Sequence, residues 1–295
     1  MSTQLAKIPV VVSYGLGVDS TAVLVGFYQR GIRPDAILFS DTGSEKEETY
    51  DYLVTINAWL RKVGFPQVTV VRNSPRKFKY NRYSTLEGNC ISNRTLPSLA
   101  FGRKSCSLKW KGAILDKAVD QMFGRGTAVY RAIGYDCSPA DNKRFAHAQG
   151  KTNAGRSGDV FMYPLQTWGW HRIECAKQIA AAGLPVPPKS SCFFCPAMKA
   201  QEVAELPAEK LRRIVIMEAN ASPNNRTIKG LWRGKSMTDF IRAKGLLPAA
   251  EIDALWAKWS APERVIKVAE IASEDVVRAE ANAEALIAEV LAMAA

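Results

Sequence analysis

Histidine is nearly absent from this chain: His147 and His171 are the two in 295 residues. Neither stands at finger-like spacing from a cysteine, which excludes the common mixed Cys/His zinc sites. No apolar run reaches the roughly 18 residues of a membrane-crossing helix, and no segment reads as a signal peptide. The expectation is a cytoplasmic protein with no membrane partner, whose six cysteines are free, catalytic or metal-bound rather than paired. Acidic residues are scarce in one stretch. From Arg72 to Lys111 there are ten Lys/Arg and a single acid, Glu87, interleaved with Phe78, Tyr80, Tyr83, Phe101 and Trp110. Basic residues alternating with aromatics suit a polyanion that also stacks, namely nucleic acid. A basic surface around a nucleotide pocket is the plainer alternative.

What is present is most informative between Val10 and Leu24. An apolar β-type segment ends at Ser13-Tyr14, passes through Gly15-Leu16-Gly17, and enters a helix that opens with Asp19, Ser20 and Thr21. Glycines let the backbone approach a phosphate, and the new helix aims its unpaired N–H groups and positive dipole end at it. No Lys-Ser/Thr pair follows the glycines, which excludes the common P-loop. A near-miss at Gly230-Leu-Trp-Arg-Gly234-Lys235-Ser236 is one residue short and lacks an apolar strand before it.

Residues 8–14, 36–39, 68–71 and 128–133 read as strands, and 19–31, 45–63, 111–121 and 171–182 as helices. Such alternation predicts an α/β fold: a doubly wound parallel sheet with helices on both faces, followed by a C-terminal helical region. Asp41-Thr42-Gly43 ends the second strand, on the edge where open α/β sheets bind ligands. Gly134-Tyr135-Asp136 ends a later one. The 72–111 segment and the polar stretch from Cys137 to Asp159 read as loop. An Ala/Glu-rich helical segment runs from Ser273. A boundary near residue 165 would separate a nucleotide-binding core, 1–165, from a helical region, 166–295. That region carries Cys192-Phe-Phe-Cys195-Pro, and Cys106 lies 86 residues before it. Zinc, iron–sulfur and redox uses all share the CxxC spacing. Buried structural thiols are the alternative for each cysteine.

Five segments in order resemble the PAPS reductase-like, adenine nucleotide α-hydrolase (PP-loop) superfamily. Ser13–Ser20 is similar to its pyrophosphate loop and Asp41–Tyr50 to its Asp-Thr-Gly signature. Lys104–Lys111 resembles its central Cys…Lys segment, Ile133–Asp136 its strand-end motif and Tyr163–Trp170 its Pro-Leu…Trp stretch. The resemblance implies that Ser13, Tyr14, Gly15, Gly17, Asp19, Ser20 and Thr21 hold the phosphates of Mg²⁺·ATP. It places Asp41, Thr42, Gly43, Gly134 and Asp136 around the nucleotide, with Asp19, Asp41 and Cys106 in catalytic roles. Two positions depart from the family pattern: Leu16 stands for a glycine and Val18 for a lysine. Cations of the 72–111 or 229–235 segments, or Mg²⁺, would supply the lost charge.

The same resemblance implies a 4Fe–4S cluster on Cys106, Cys192 and Cys195 with one open iron; Cys90, Cys137 or Cys175 would be a fourth ligand, Cys175 first among them. No cysteine follows Cys195, whereas sulfonucleotide reductases are implied to use a C-terminal nucleophilic cysteine. The leading expectation is therefore an ATP-dependent sulfurtransferase that adenylates a nucleic-acid acceptor, tRNA or DNA, and inserts sulfur, as tRNA thiolases and DNA phosphorothioation enzymes do. A sulfur-donor protein and a second copy of the chain are the other candidate partners. A PAPS/APS reductase that borrows its nucleophile, and a nucleotide-sensing or DNA-binding subunit of a modification or defence complex, are the alternatives.

Overall fold

The computed structural model describes residues 7–74, 76–78, 81–149 and 156–261; Tyr80 and the segment from Ser273 lie outside them. In chain order the first elements are β1 (Val10–Tyr14), α1 (Val18–Gln29), β2 (Ala36–Asp41), α2 (Glu47–Lys62) and β3 (Val68–Arg72). Next come β4 (Arg76–Phe78), β5 (Asn81–Tyr83), α3 (Leu86–Ser92), α4 (Ser105–Ser107), α5 (Ala113–Phe123) and β6 (Val129–Ala132). Then follow α6 (Pro139–Gln149), β7 (Asp159–Met162), α7 (Pro164–Trp168) and α8 (Arg172–Ala181). The last are α9 (Ala200–Ala204), α10 (Ala208–Ala221), α11 (Met237–Ala243) and α12 (Ala249–Ser260).

These elements form two compact units, and the chain crosses between them more than once. The first comprises 1–41, 46–71 and 112–190; the second comprises 42–45, 72–111 and 191–295. A single boundary near residue 165 does not describe this division. The reason is that Thr42–Glu45 and the basic segment belong with the late helices, a long-range association that leaves no mark on local composition.

The first unit is built on a five-stranded sheet of order β3-β2-β1-β6-β7, in which β1 runs parallel to β2 and β6, and β6 to β7. Period-two alternation sends β1 side chains to opposite faces. Val12 and Tyr14 pack with Ile37, Phe39 and residues of α1 and α2; Val11 packs with Ala36, Leu38 and Val129 over Leu115, Ala118 and Val119 of α5. Helices thus cover both faces, and the α/β expectation holds at that level. Helix α1 is fully buried from Ala22 to Val25 and again at Phe27, as a helix apolar on all sides must be. Each such large side chain contributes about 1.5–3 kcal/mol by leaving water. The stretch expected to be loop from Cys137 contains α6, with Pro139 at its first position, where the missing N–H costs nothing. Its face is polar because only Asp141 is buried, so no apolar period announces it.

The second unit is a helical cluster packed on Phe193, Phe194, Ile214, Met217 and Leu231. The basic segment is not one loop: it supplies the antiparallel pair β4–β5 and helices α3 and α4. Thr85 starts α3 by accepting the Gly88 N–H at 3.0 Å, which satisfies one of the helix's orphan donors. Inside the cluster, Arg213 of α10 donates to both carboxylate oxygens of Glu87, Nε at 2.9 Å from Oε1. Burial would depress the guanidinium, but Glu87 and Glu209 hold its pKa above the usual arginine value.

Glu218, on the same helix and 2% exposed, organises the lookalike glycine segment. Its carboxylate accepts the N–H groups of Leu231 (2.7 Å), Met237 (2.9 Å) and Thr238 (2.8 Å), and the hydroxyls of Ser236 and Thr238, both at 2.6 Å. Backbone donors that a P-loop would turn to phosphate are thus committed to a protein carboxylate.

Candidate functional site

In open α/β sheets the ligand crevice lies beyond the carboxyl ends of strands that diverge from a switch point. Here β1 lies between β2 and β6, so the loops after β1 and β6 frame that position. The β1 loop is Gly15-Leu16-Gly17, and α1 starts from Gly17 with no side-chain cap. An uncapped start leaves first-turn N–H groups facing outward for water or an anion. From the other side comes Gly134: a Cβ there would sit 2.9 Å from the Asp19 carbonyl carbon and the Ser20 nitrogen. Only glycine lets the end of β6 approach the first turn of α1 this closely.

Four of the residues expected to bind phosphate spend their side chains inside the protein. Ser13 accepts from Arg131 of β6 at 3.3 Å; that buried guanidinium also holds Asp159 (3.1 Å) and Asp116 (3.2 Å). Tyr14 and Thr21 share a hydrogen bond of 3.0 Å, and burial pushes the phenol well up. The Ser20 hydroxyl accepts the Gly15 N–H at 3.1 Å and donates to the Gly17 carbonyl at 3.2 Å, clamping the loop. The anion-facing part is therefore backbone, with Asp19 beside it.

Asp19 pairs with Arg172 of α8 at 2.7 Å. Burial pushes its carboxyl up from the usual range against the pull of Arg172, and Asp136 and Asp141 add to the rise. Arg172 is a cation at this loop within the first unit. No sequence signal singled it out, because it follows a helix-start histidine 153 residues away from its partner. The 72–111 and 229–235 segments, expected to supply that charge, belong to the second unit. Asp136 accepts the Ser138 N–H at 2.9 Å, a turn-closing role. Asp41 is 2% exposed and accepts the Tyr50 hydroxyl at 2.8 Å.

Leu16 explains one departure from the family pattern. It has φ of 56° and is fully buried in the core with Val12, Val23 and Phe27. The left-handed conformation costs a non-glycine residue about 1–2 kcal/mol, while losing a buried leucine costs about 2–5 kcal/mol. Burial wins. Leu16→Gly is expected to lower stability by about 1–3 kcal/mol in denaturant unfolding, despite relieving the backbone; an unchanged or higher midpoint would refute the anchoring role.

The second unit gathers three segments read separately in the sequence. Thr42 Oγ1 lies 3.2 Å from Glu45 Oε1 and 3.3 Å from Cys192 Sγ. Lys111 Nζ lies 2.8 Å from the same Glu45 oxygen, and the Phe193 N–H donates to the Ser44 carbonyl at 3.0 Å. Gly43, at φ of 67°, makes this possible: a Cβ would lie 2.4 Å from Thr85 Cγ2. Thr42 and Gly43 thus serve the cysteine segment within this unit. Burial pushes the Cys192 thiol well up, helped by Glu45 and opposed by Lys111 and Thr42. Burial would lower Lys111, but Glu45 and Cys192 raise it above the usual lysine value. Glu45 Oε2 is buried with no hydrogen-bond partner. Glu45 and Lys111 sit inside the quoted motifs, yet neither was singled out; their 66-residue separation hides the pairing.

Cys195 closes a turn on Cys192, N–H to carbonyl 3.0 Å, and half-buried Cys106 donates its N–H to Ser98 Oγ at 2.6 Å. Cys106 and Cys195 pack against the apolar cluster that contains Cys192. These thiols suit an iron–sulfur cluster in donor type. Among the described residues no three Cys, His, Asp or Glu side chains form a metal-holding group. Of the other cysteines, Cys90 is buried in the second unit, and Cys137 and Cys175 belong to the first. No family model matches this chain, and no curated protein matches it either.

Proposed function

We propose that the protein is an ATP-dependent sulfurtransferase acting on nucleic acid by adenylation followed by sulfur insertion. The observation that carries the reading is the convergence of Thr42–Glu45, Lys111 and Cys192 on one chain that also carries the uncapped, glycine-led start of α1. In the proposed first step an acceptor oxygen attacks the α-phosphorus of ATP and pyrophosphate leaves. The backbone at Gly15–Gly17 and the first turn of α1 would take the phosphates, with Arg172 supplying positive charge. Asp19 and Asp41 are the carboxylates suited to Mg²⁺. In the second step sulfide sulfur bonds to the activated centre and AMP leaves with the acceptor oxygen. Sulfur stays at the sulfide level throughout, so no oxidant or reductant is consumed.

Sulfide delivery is assigned to Cys106, Cys192 and Cys195. A 4Fe–4S cluster on these thiolates would supply an iron able to bind sulfide. The test is anaerobic incubation with Mg·ATP, sulfide and tRNA or single-stranded DNA. Mass spectrometry of the digested nucleic acid should find a sulfur-containing nucleoside or dinucleotide, with AMP and pyrophosphate released in equal amounts. ATP cleavage to ADP, or no sulfur product under any of these conditions, would overturn the proposal. A nucleotide-sensing subunit is the second reading, favoured by the internal commitment of the Ser13, Ser20 and Thr21 hydroxyls; bound ATP that never turns over would support it.

A further inference from the structure

A cavity of about 410 Å³ opens in the second unit, separate from the Thr42–Glu45–Lys111 contacts and with Cys106 in its wall. Its volume falls in the range of about 300–1,000 Å³ usual for small-molecule sites. The lining has a particular order of chemistry. Trp110, 7% exposed, and half-buried Phe101 offer aromatic surface. Asn89, Thr95 and Ser98 contribute amide and hydroxyl groups, while Arg103 and Lys109 are exposed cations on the same lining. The wall is held in place: Trp110 packs on Tyr83 at 6.4 Å between ring centroids, and Ser98 is fixed by the Cys106 N–H. The Ser98 hydroxyl, having accepted that bond, keeps a proton to donate.

Asn89 Oδ1 already accepts from Asn93 at 3.1 Å and the Thr95 hydroxyl donates to the Leu96 carbonyl at 3.4 Å, so the Ser98 proton is the group an apolar molecule would leave unmatched, and a bare anion would leave the aromatic surface unused. A planar heterocycle with hydrogen-bonding edges, attached to a phosphate, matches all three kinds of group. We propose that this cavity receives one unstacked base of a single-stranded nucleic acid. The base stacks on Phe101, the more exposed of the two rings, and its flanking phosphates meet Arg103 and Lys109. The inference rests on the nucleic-acid reading above and deepens it: the base enters beside Cys106.

The experiment is fluorescence anisotropy with labelled 8-mers of DNA and of RNA on the full chain. Each is made in three forms: all bases present, all positions abasic, and abasic with one central base. Stacking at one site predicts that the lone base recovers most of the difference between the first two, about 5- to 150-fold in affinity. Phe101→Ala should collapse that ratio while leaving the salt dependence unchanged. Lys109→Gln should weaken all three forms alike and reduce the salt slope by about 0.7. The arm with the larger ratio, DNA or RNA, identifies the acceptor class.

Equal affinities for based and abasic forms in both arms would overturn the proposal. So would a gain spread evenly over all eight bases, or a ratio untouched in folded Phe101→Ala. The lone-base comparison uses the unaltered protein, so it stands even if Phe101→Ala does not fold. ATP–pyrophosphate exchange is measured alongside. Exchange without a base effect removes the cavity proposal alone; a base effect without exchange removes the adenylation reading and leaves the cavity.

Discussion

Glu218→Ala is expected to destabilise the second unit by about 3–5 kcal/mol, the cost of leaving several buried donors without an acceptor. Five donors converge on this carboxylate at 2.6–2.9 Å, three from backbone and two from hydroxyls. They fasten residues 231–238 to α10, including Trp232, whose indole donates to the Met198 carbonyl at 2.9 Å. Water entering the space would recover part of the loss, so the effect falls well below five full hydrogen bonds. Glu218→Gln separates charge and acceptor capacity from volume, because its amide points two N–H groups at groups that are themselves donors. It should lose nearly as much as alanine does. Urea unfolding followed by tryptophan fluorescence measures both; a loss under about 1 kcal/mol for either would mean that the carboxylate does not organise the segment.

Gly134→Val is expected to weaken ATP binding by about 100-fold, the scale of effect from an ångström-level displacement of a site. The added Cβ meets main-chain atoms of Asp19 and Ser20 at 2.9 Å, and neither can swing aside as a side chain would. Either β6 or the first turn of α1 has to shift, and that turn supplies the proposed phosphate donors. Overpacking of this kind also costs about 1–3 kcal/mol of stability. Isothermal titration with a non-hydrolysable ATP analogue, on protein shown to be folded by circular dichroism, reads the affinity directly. Unchanged affinity would place the phosphates elsewhere.

The sheet was legible because its signals are local. Apolar runs at β1, β2, β3 and β6 alternate with helical periods, and glycines mark where β1 and β6 end. Helix α6 was not legible because a solvent-facing helix has no apolar stripe to read. Its local mark is Pro139 at the first helical position. The side-chain partners at the loop were not legible for another reason. A serine or threonine in a phosphate motif can face the ligand or the fold, and residue identity does not choose between them. Arg131 on a neighbouring strand turns Ser13 inward, and Tyr14 engages Thr21. Arg172, Glu45 and Lys111 were missed because each depends on a partner far along the chain. The two-unit division was hidden for the same reason: Thr42–Glu45 are four residues of a strand-end motif, yet their partners are Cys192, Lys111 and Thr85.

Adenylation is the central claim, and ATP–pyrophosphate exchange tests it most directly. Protein purified anaerobically is incubated with Mg·ATP, labelled pyrophosphate and either tRNA or single-stranded DNA. The expected result is label appearing in ATP only when an acceptor is present, and lost in Gly134→Val. Tight ATP binding with no exchange for either acceptor, or exchange undiminished in folded Gly134→Val, would contradict the account.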